Sequence, residues 1–290
     1  MITKCCADIQ LDVATILATI SCDIGMPVVA SEVLQLIDAG KSNAKSLSAT
    51  ITRDQALTLR VLKLANSPFY GFSRKVNTVG NAVVVLGEKI LRNMVLALAV
   101  KGMHARHGEV ERNLWVESAS FAMAARFLSM RSGCLIAEEA FMAGLMSNVG
   151  ELVCNNDKPQ LYADVLQASG SSGQRDKHSG EIFPHTFAQY GAAILSHWNF
   201  SPLLVASCFY AENEDLSGYV EDDTHTMCSM VYLARQMCKQ MKIGGYSQFT
   251  APLAVGTATD ALQLSDKDMQ DLCSEFEEIY AEQSGVLLYS

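Results

Sequence analysis

Leu62-Lys63-Leu64-Ala65-Asn66-Ser67-Pro68-Phe69-Tyr70-Gly71-Phe72, continued by Val76-Asn77-Thr78-Val79 and Asn81-Ala82-Val83-Val84-Val85-Leu86-Gly87, is the stretch that decides the fold. Just before it, Leu57, Val61 and Leu64 recur at helical spacing, with Leu62 and Ala65 widening the stripe, which predicts an amphipathic helix over 54–65. Asp54 stands at the N-cap, where its carboxylate takes up free N–H groups of the first turn. Pro68 bars that helix from continuing. Asn66 and Ser67 can bond the backbone exposed at its end. Phe69, Tyr70 and Phe72 can then pin the turn into a core, with Gly71 relieving the backbone. The residues give this turn a structural role; a partner surface with Asn66 and Tyr70 as its polar handles is the alternative.

The rest of the chain reads as helices too. Apolar periodicity and end signals place them at Val28–Ile37, Ser46–Ile51, Asn81–Leu86 (stopped by Gly87) and Glu88–Gly102. A second group covers 113–131, 138–155, 159–168, 187–198, 202–211, 224–241 and 266–282. Ser265 with Asp268 resembles a capping box. The polar stretch 169–180 and the acidic stretch 213–223 read as loops. No segment alternates with period two between turn residues, so the expected fold class is all-α.

Composition narrows the function classes. The 290 residues, 49% hydrophobic and 18% charged, suffice for a large core. The apolar runs fall short of the roughly 20 residues of a membrane span, and no basic-then-apolar leader opens the chain. The expectation is a cytoplasmic protein with no membrane partner. Nine cysteines occur without any C-x-x-C, fitting reduced thiols used as small hydrophobes. The net charge of −9 argues against nucleic acid as a partner. Charge is uneven: residues 1–112 hold 13 Lys and Arg against 9 Asp and Glu, and residues 113–290 hold 9 against 22. Ordinary solvated faces explain this; a mildly basic N-terminal surface for an acidic partner is the alternative.

The stretch from Leu62 to Gly87 resembles the signature of the HDOD domain, a bacterial signal-transduction family related to HD phosphohydrolases. The resemblance covers roughly residues 16–212. It implies a helical bundle, with an N-terminal helical lobe (1–106) packed on a degenerate HD-like lobe with a C-terminal helical extension (107–290).

In catalytic HD proteins, His and Asp side chains converge on metal ions that activate water against a phosphate ester. This chain departs from that pattern throughout. Glu117 follows Trp115 where the first His is expected; Ser147-Asn148, within Ala143-Gly144-Leu145-Met146-Ser147-Asn148-Val149-Gly150-Glu151-Leu152, replaces the His-Asp pair, and Glu151 replaces the adjoining Lys. Phe187 stands for a further His, Ala211-Glu212 for a His-His pair, and Arg235 for the last Asp. Arg235 brings a permanent positive charge to a cation's place. A pair between Arg235 and Glu117 or Glu212 would replace the metal electrostatically; the oxygen set Glu117, Asn148 and Glu212 holding Mg²⁺ or Ca²⁺ is the rival reading. The six histidines form no cluster, and neither a nucleophile elbow nor a phosphate loop is present.

The resulting expectation is a non-catalytic signalling module that binds a protein partner, with no cofactor and no metal. The expected surface is the groove between the lobes or the basic N-terminal face, near Lys63, Asn66, Tyr70, Arg74 and Lys75. With no receiver or output domain in the sequence, the input is expected to arrive by binding. Two alternatives stand beside it: a sensor holding a nucleotide or other anion in the vestigial pocket, with Arg235 as anchor, and a residual metal-dependent phosphohydrolase.

Overall fold

The computed structural model describes residues 9–66, 75–134, 136–216, 222–253 and 255–289. Every regular element among them is a helix. In chain order these are α1 (Val13–Leu17), α2 (Val28–Asp38), α3 (Ala44–Ile51), α4 (Gln55–Ala65), α5 (Val79–Leu86), α6 (Glu88–Gly102), α7 (Glu109–Arg131) and α8 (Ala137–Met146). There follow α9 (Val149–Asp157), α10 (Pro159–Ser169), α11 (Arg175–Ile182), α12 (Phe187–His197), α13 (Pro202–Phe209), α14 (Asp223–Gln240), α15 (Ala258–Ala261) and α16 (Asp266–Tyr289). Short 3₁₀ turns occupy Gly170–Ser172 and Gly244–Tyr246.

The chain divides into two compact units, residues up to 24 with 104–278, and 25–103 with 279 onward. Residues 25–103 form most of one unit, which the segment before residue 24 does not join. The segment before residue 24 belongs with the later unit instead, because its polar groups are tied there. The Asp157 carboxylate accepts from the N–H groups of Ser21 and Cys22, both at 2.8 Å. Lys158 donates to the Thr19 carbonyl, Trp198 donates its indole N–H to the Ile24 carbonyl, and the Thr19 and Tyr190 hydroxyls meet at 2.9 Å. Ile16 joins the apolar cluster of Tyr162, Phe187 and Tyr190.

In the unit of residues 25–103, caps define the helices. Asp54 accepts from the Leu57 N–H at the start of α4, and Asn43 and Ser46 form a reciprocal capping box on α3. Asn66, at the end of α4, uses its whole amide on the backbone. Its nitrogen donates to the carbonyls of Leu62 and Val76, and its oxygen accepts from the Val76 N–H, each at 2.7 Å. Asn66 thus cross-links the two ends of the turn whose sequence signature it belongs to. Residues 67–74, with Tyr70 and Arg74, lie outside the described residues. Lys63 and Lys75 are exposed.

In the unit of residues 104–278, α7 packs on α8 and α14, and α12 packs on α9, α13 and α1. The segment 138–155, expected as one helix, is two: α8 and α9 part at Ser147 and Asn148. There the Ser147 N–H and hydroxyl both turn back to the Gly144 carbonyl, so the regular i to i−4 ladder gives way to a tighter turn. The stretch 169–180, expected as loop, contains most of α11, because Arg175 is drawn inside by charge pairing that the local sequence does not display. α7 also begins four residues before the expected start, where Glu111 accepts from the Gly108 N–H.

Two glycines set how closely the helices approach. A Cβ on Gly144 of α8 would stand 2.4 Å from the Phe121 carbonyl oxygen of α7. One on Gly150 of α9 would stand 2.0 Å from the Phe187 carbonyl oxygen of α12. Backbone atoms cannot yield as a flexible side-chain end can. Gly150→Ala is therefore expected to cost about 3 kcal/mol or more, read as a fall in Tm or loss of soluble protein.

Candidate functional site

Glu117, Glu212 and Arg235, expected from the resemblance at metal-ligand positions, and Glu151, expected at the adjoining Lys, belong to a network of buried charges. Glu117 projects from α7, Glu151 from the first turn of α9, and Arg235 from the middle of α14; Glu212 follows α13. Arg235 donates from Nε (2.8 Å) and Nη2 (2.6 Å) to Glu212 Oε1, and from Nη1 to the carbonyl and hydroxyl of Ser147, both at 3.2 Å. Its Nη2 also lies 3.5 Å from Glu151 Oε1. Its guanidinium stacks over the Phe121 ring at 4.5 Å. Lys239, one helical turn further along α14, donates to the second oxygen of Glu212.

Glu117 does not face Arg235. It pairs with Arg175 of α11, whose Nη1 and Nη2 bond its two oxygens at 2.8 and 3.1 Å, and it accepts from the Gly245 N–H at 2.8 Å. The same Arg175 Nη1 reaches Glu151 Oε2 at 3.1 Å, and Tyr162 donates its hydroxyl to that oxygen at 2.9 Å. Glu151 thus links Arg175 to Arg235. Three carboxylates are matched by three cations, and only Glu212, 19% exposed at its side chain, reaches toward solvent.

The structure brings Ser147, Glu151, Phe187, Ala211, Glu212 and Arg235 around one cavity of about 10 Å³, room for a single water. Glu117 joins them through Arg175. Asn148, only 1% exposed, is not part of that lining, and neither end of its amide has a hydrogen-bond partner. Sequence reading missed Arg175, Asp176, Lys239, Tyr162 and Tyr246. Lys239 carried a signal, since it lies four residues after Arg235 on the same helix face. Arg175 carried none: its partners lie 58 and 24 residues away.

The electrostatics follow from burial and pairing. Burial alone would raise Glu212, yet Lys239 and Arg235 hold its carboxyl down at about 2. Burial pushes Glu117 up, and Arg175 pulls it back. Asp176, which also lines the small cavity, accepts from the Ala188 N–H at 2.7 Å; burial, with Glu212 and Glu151 nearby, still lifts it to about 6 against the pull of Arg235. Burial pushes the Cys208 thiol up to about 12, so it stays protonated at neutral pH.

The residues present do not fit a catalytic metal. Phe187 and Ala211 offer no donor, Arg235 opposes a cation, and the three glutamates are already bonded to guanidinium and ammonium groups. Among the described residues, no group of three or more His, Cys, Asp and Glu side chains is placed to hold a metal ion. Of the alternative set, Glu117 is bonded to Arg175 and Glu212 to Arg235, and Asn148 lies outside the lining of the cavity that Glu212 borders. No helix among the described residues is long and apolar enough to cross a membrane.

Residues 24–214 match the HDOD domain, and the chain belongs to that family. Its fold is similar to that of an HDOD domain protein from Geobacter sulfurreducens, at 20% identity and a TM-score of 0.76, covering 94% of this chain and 95% of that one. It is also similar to a proposed phosphohydrolase from Shewanella amazonensis SB2B, at 24% identity and a TM-score of 0.71, covering 95% and 97%. An uncharacterised protein from Treponema pallidum (strain Nichols) is 24% identical over an alignment of 221 positions that covers 71% of this chain and 41% of that protein. The chain thus matches about two-fifths of the length of that curated relative.

Two predictions follow from the network. Arg235→Ala and Glu212→Ala are each expected to cost about 3–5 kcal/mol, because each strands a buried opposite charge, and the double variant is expected to cost much less than their sum. Chemical denaturation of the four proteins measures this. The second concerns pH. Glu212 is depressed when folded, so its contribution is present above about 4.5 and is lost as pH falls toward about 2. Asp176 is raised from 3.8 to about 6, so its contribution is present below 3.8 and is lost as pH rises through about 6. Asp176→Asn, which keeps an oxygen for the Ala188 N–H, is expected to stabilise the protein at pH 7.5 by about 2–3 kcal/mol and to flatten the rise in stability between pH 7 and 5.

Proposed function

We propose that this HDOD chain is a non-catalytic regulatory module that acts by binding a protein partner. The observation that carries this reading is the neutralised network: Glu117 and Glu212, at positions where the family resemblance expects metal ligands, and Glu151 beside them are engaged by Arg175, Arg235 and Lys239. Carboxylates held this way neither ligate a cation nor act as a base without first giving up a buried pair. Holding a nucleotide on Arg235 fits less well, since its donors are all directed to protein acceptors and the adjoining cavity admits about one water. The exposed Lys63 and Lys75 mark the surface where we place the partner.

The test pairs two measurements on the full chain. Protein expressed with iron, manganese and magnesium is assayed for bound metal and for hydrolysis of bis-p-nitrophenyl phosphate and cyclic dinucleotides. Photo-crosslinkers at positions 63 and 75 then capture partners in the source organism. The expected result is less than about a tenth of an equivalent of metal, no turnover, and one partner crosslinked from both positions. Stoichiometric metal accompanied by turnover overturns the reading.

A further inference from the structure

Residues 25–103, most of the smaller unit, carry 10 Lys and Arg against 4 Asp and Glu, in a chain whose totals are 22 against 31. A groove with room of about 370 Å³ opens within these residues, between α2, α4 and α6. Val28 and Val29 of α2, Leu57 of α4, and Leu98 and Ala99 of α6 give it apolar walls. Val28, 71% exposed, and Ala56, also exposed, stand in the lining, so the groove is open to solvent rather than enclosed.

Two charged side chains line the groove, Asp54 and Arg60. Asp54 turns its carboxylate to the Leu57 N–H at 2.9 Å, where it caps α4. Arg60 is exposed and has no acid partner among the described residues. Lys63 lies one turn further along α4, and Lys101 lies in the last turn of α6. Burial lowers the Lys101 ammonium from its ordinary value, and the charges of Arg60 and Lys63 lower it further, so the three cations stand within one another's field. An apolar groove thus carries positive potential at its side, which an incoming carboxylate relieves.

Shape decides which acid fits. A small amphipathic acid needs a pocket that encloses most of its surface, and this groove leaves Val28, Ala56 and Arg60 open to water. A helix needs no enclosure, because its own apolar stripe covers the walls it meets. With α6 packed on both α2 and α4, a helix laid in the groove completes a bundle of four.

We propose that this groove receives an amphipathic helix of a protein partner, apolar on the face that enters and acidic along the edge that meets Arg60. The proposal rests on the reading of the chain as a partner-binding module and adds the place and the chemistry of the contact.

The experiment is selection against the full chain from a displayed library of helical peptides of about 15 residues. Stripe positions are drawn from Ala, Val, Leu, Met and Phe, and flanking positions equally from Glu, Gln and Lys. Two substitutions at exposed positions of α4, with folding checked by circular dichroism, serve as controls: Ala56→Trp fills the groove and Arg60→Glu reverses its charge. Selected peptides are expected to carry an excess of Glu at the flanks and to bind severalfold more weakly as salt rises from about 50 to about 300 mM. They are expected to lose about tenfold or more in affinity for Arg60→Glu and to lose binding to Ala56→Trp. The proposal is overturned if no peptide binds more tightly than about 1 mM, whether or not decanoate does. It is equally overturned if the flanks show no excess of Glu, if both folded variants bind as the parent does, or if sedimentation shows a dimer that Ala56→Trp dissociates, the occupant then being a second copy. Crosslinking from positions 63 and 75 separates this proposal from the reading beneath it. A partner still captured by the chain carrying Ala56→Trp removes the groove and keeps the partner, whereas stoichiometric metal with turnover removes the partner-binding reading itself.

Discussion

Burying ionised side chains is tolerable only when their charges cancel at short range, and that constraint organises the larger unit of this protein. Glu117, Glu151, Glu212, Arg175, Arg235 and Lys239 come from five separate places between α7 and α14. Each would be strongly destabilising alone. Together they tie α7, α9, α11, α14 and the end of α13 into one arrangement, because moving any element separates a charge from its partner. The apolar contacts hold these helices close, through Gly144 and Gly150, and the charges fix which close arrangement is adopted.

How much of this was legible differs between fold and site. The all-α class followed from apolar periodicity, and features such as the Asp54 cap and the Ser265–Asp268 box were readable because they depend on residues three apart. The signature from Leu62 to Gly87 gave the family. The break at Ser147 was not readable, since it depends on a hydroxyl returning to the Gly144 carbonyl inside an uninterrupted apolar pattern. Glu212 facing Arg235 was one of two pairings expected from the motif positions; the other, with Glu117, failed because Arg175 occupies that carboxylate. Arg175 sits in a polar stretch with the composition of a loop, and only the folded chain shows it to be interior.

Asn66 is the converse case. Its place directly after a helix pointed to bonding of the exposed backbone, with a partner handle as the alternative. Its amide is spent on the backbone of Leu62 and Val76. A residue prominent in a family signature thus serves the backbone.

The charge network also governs how such a protein can change over generations. Fitting the site for a metal would need donors at Phe187 and Ala211 and removal of Arg235, Arg175 and Lys239. Taken singly, each removal of a cation leaves a carboxylate buried without its counterion, at a cost comparable to a sizeable part of a domain's whole stability. Single-step substitution therefore meets a barrier on every route toward metal binding, whereas exchange of one ion pair for another, or for an apolar set, stays open. Each charge of the network is thereby kept in place by its partners' need for a counterion.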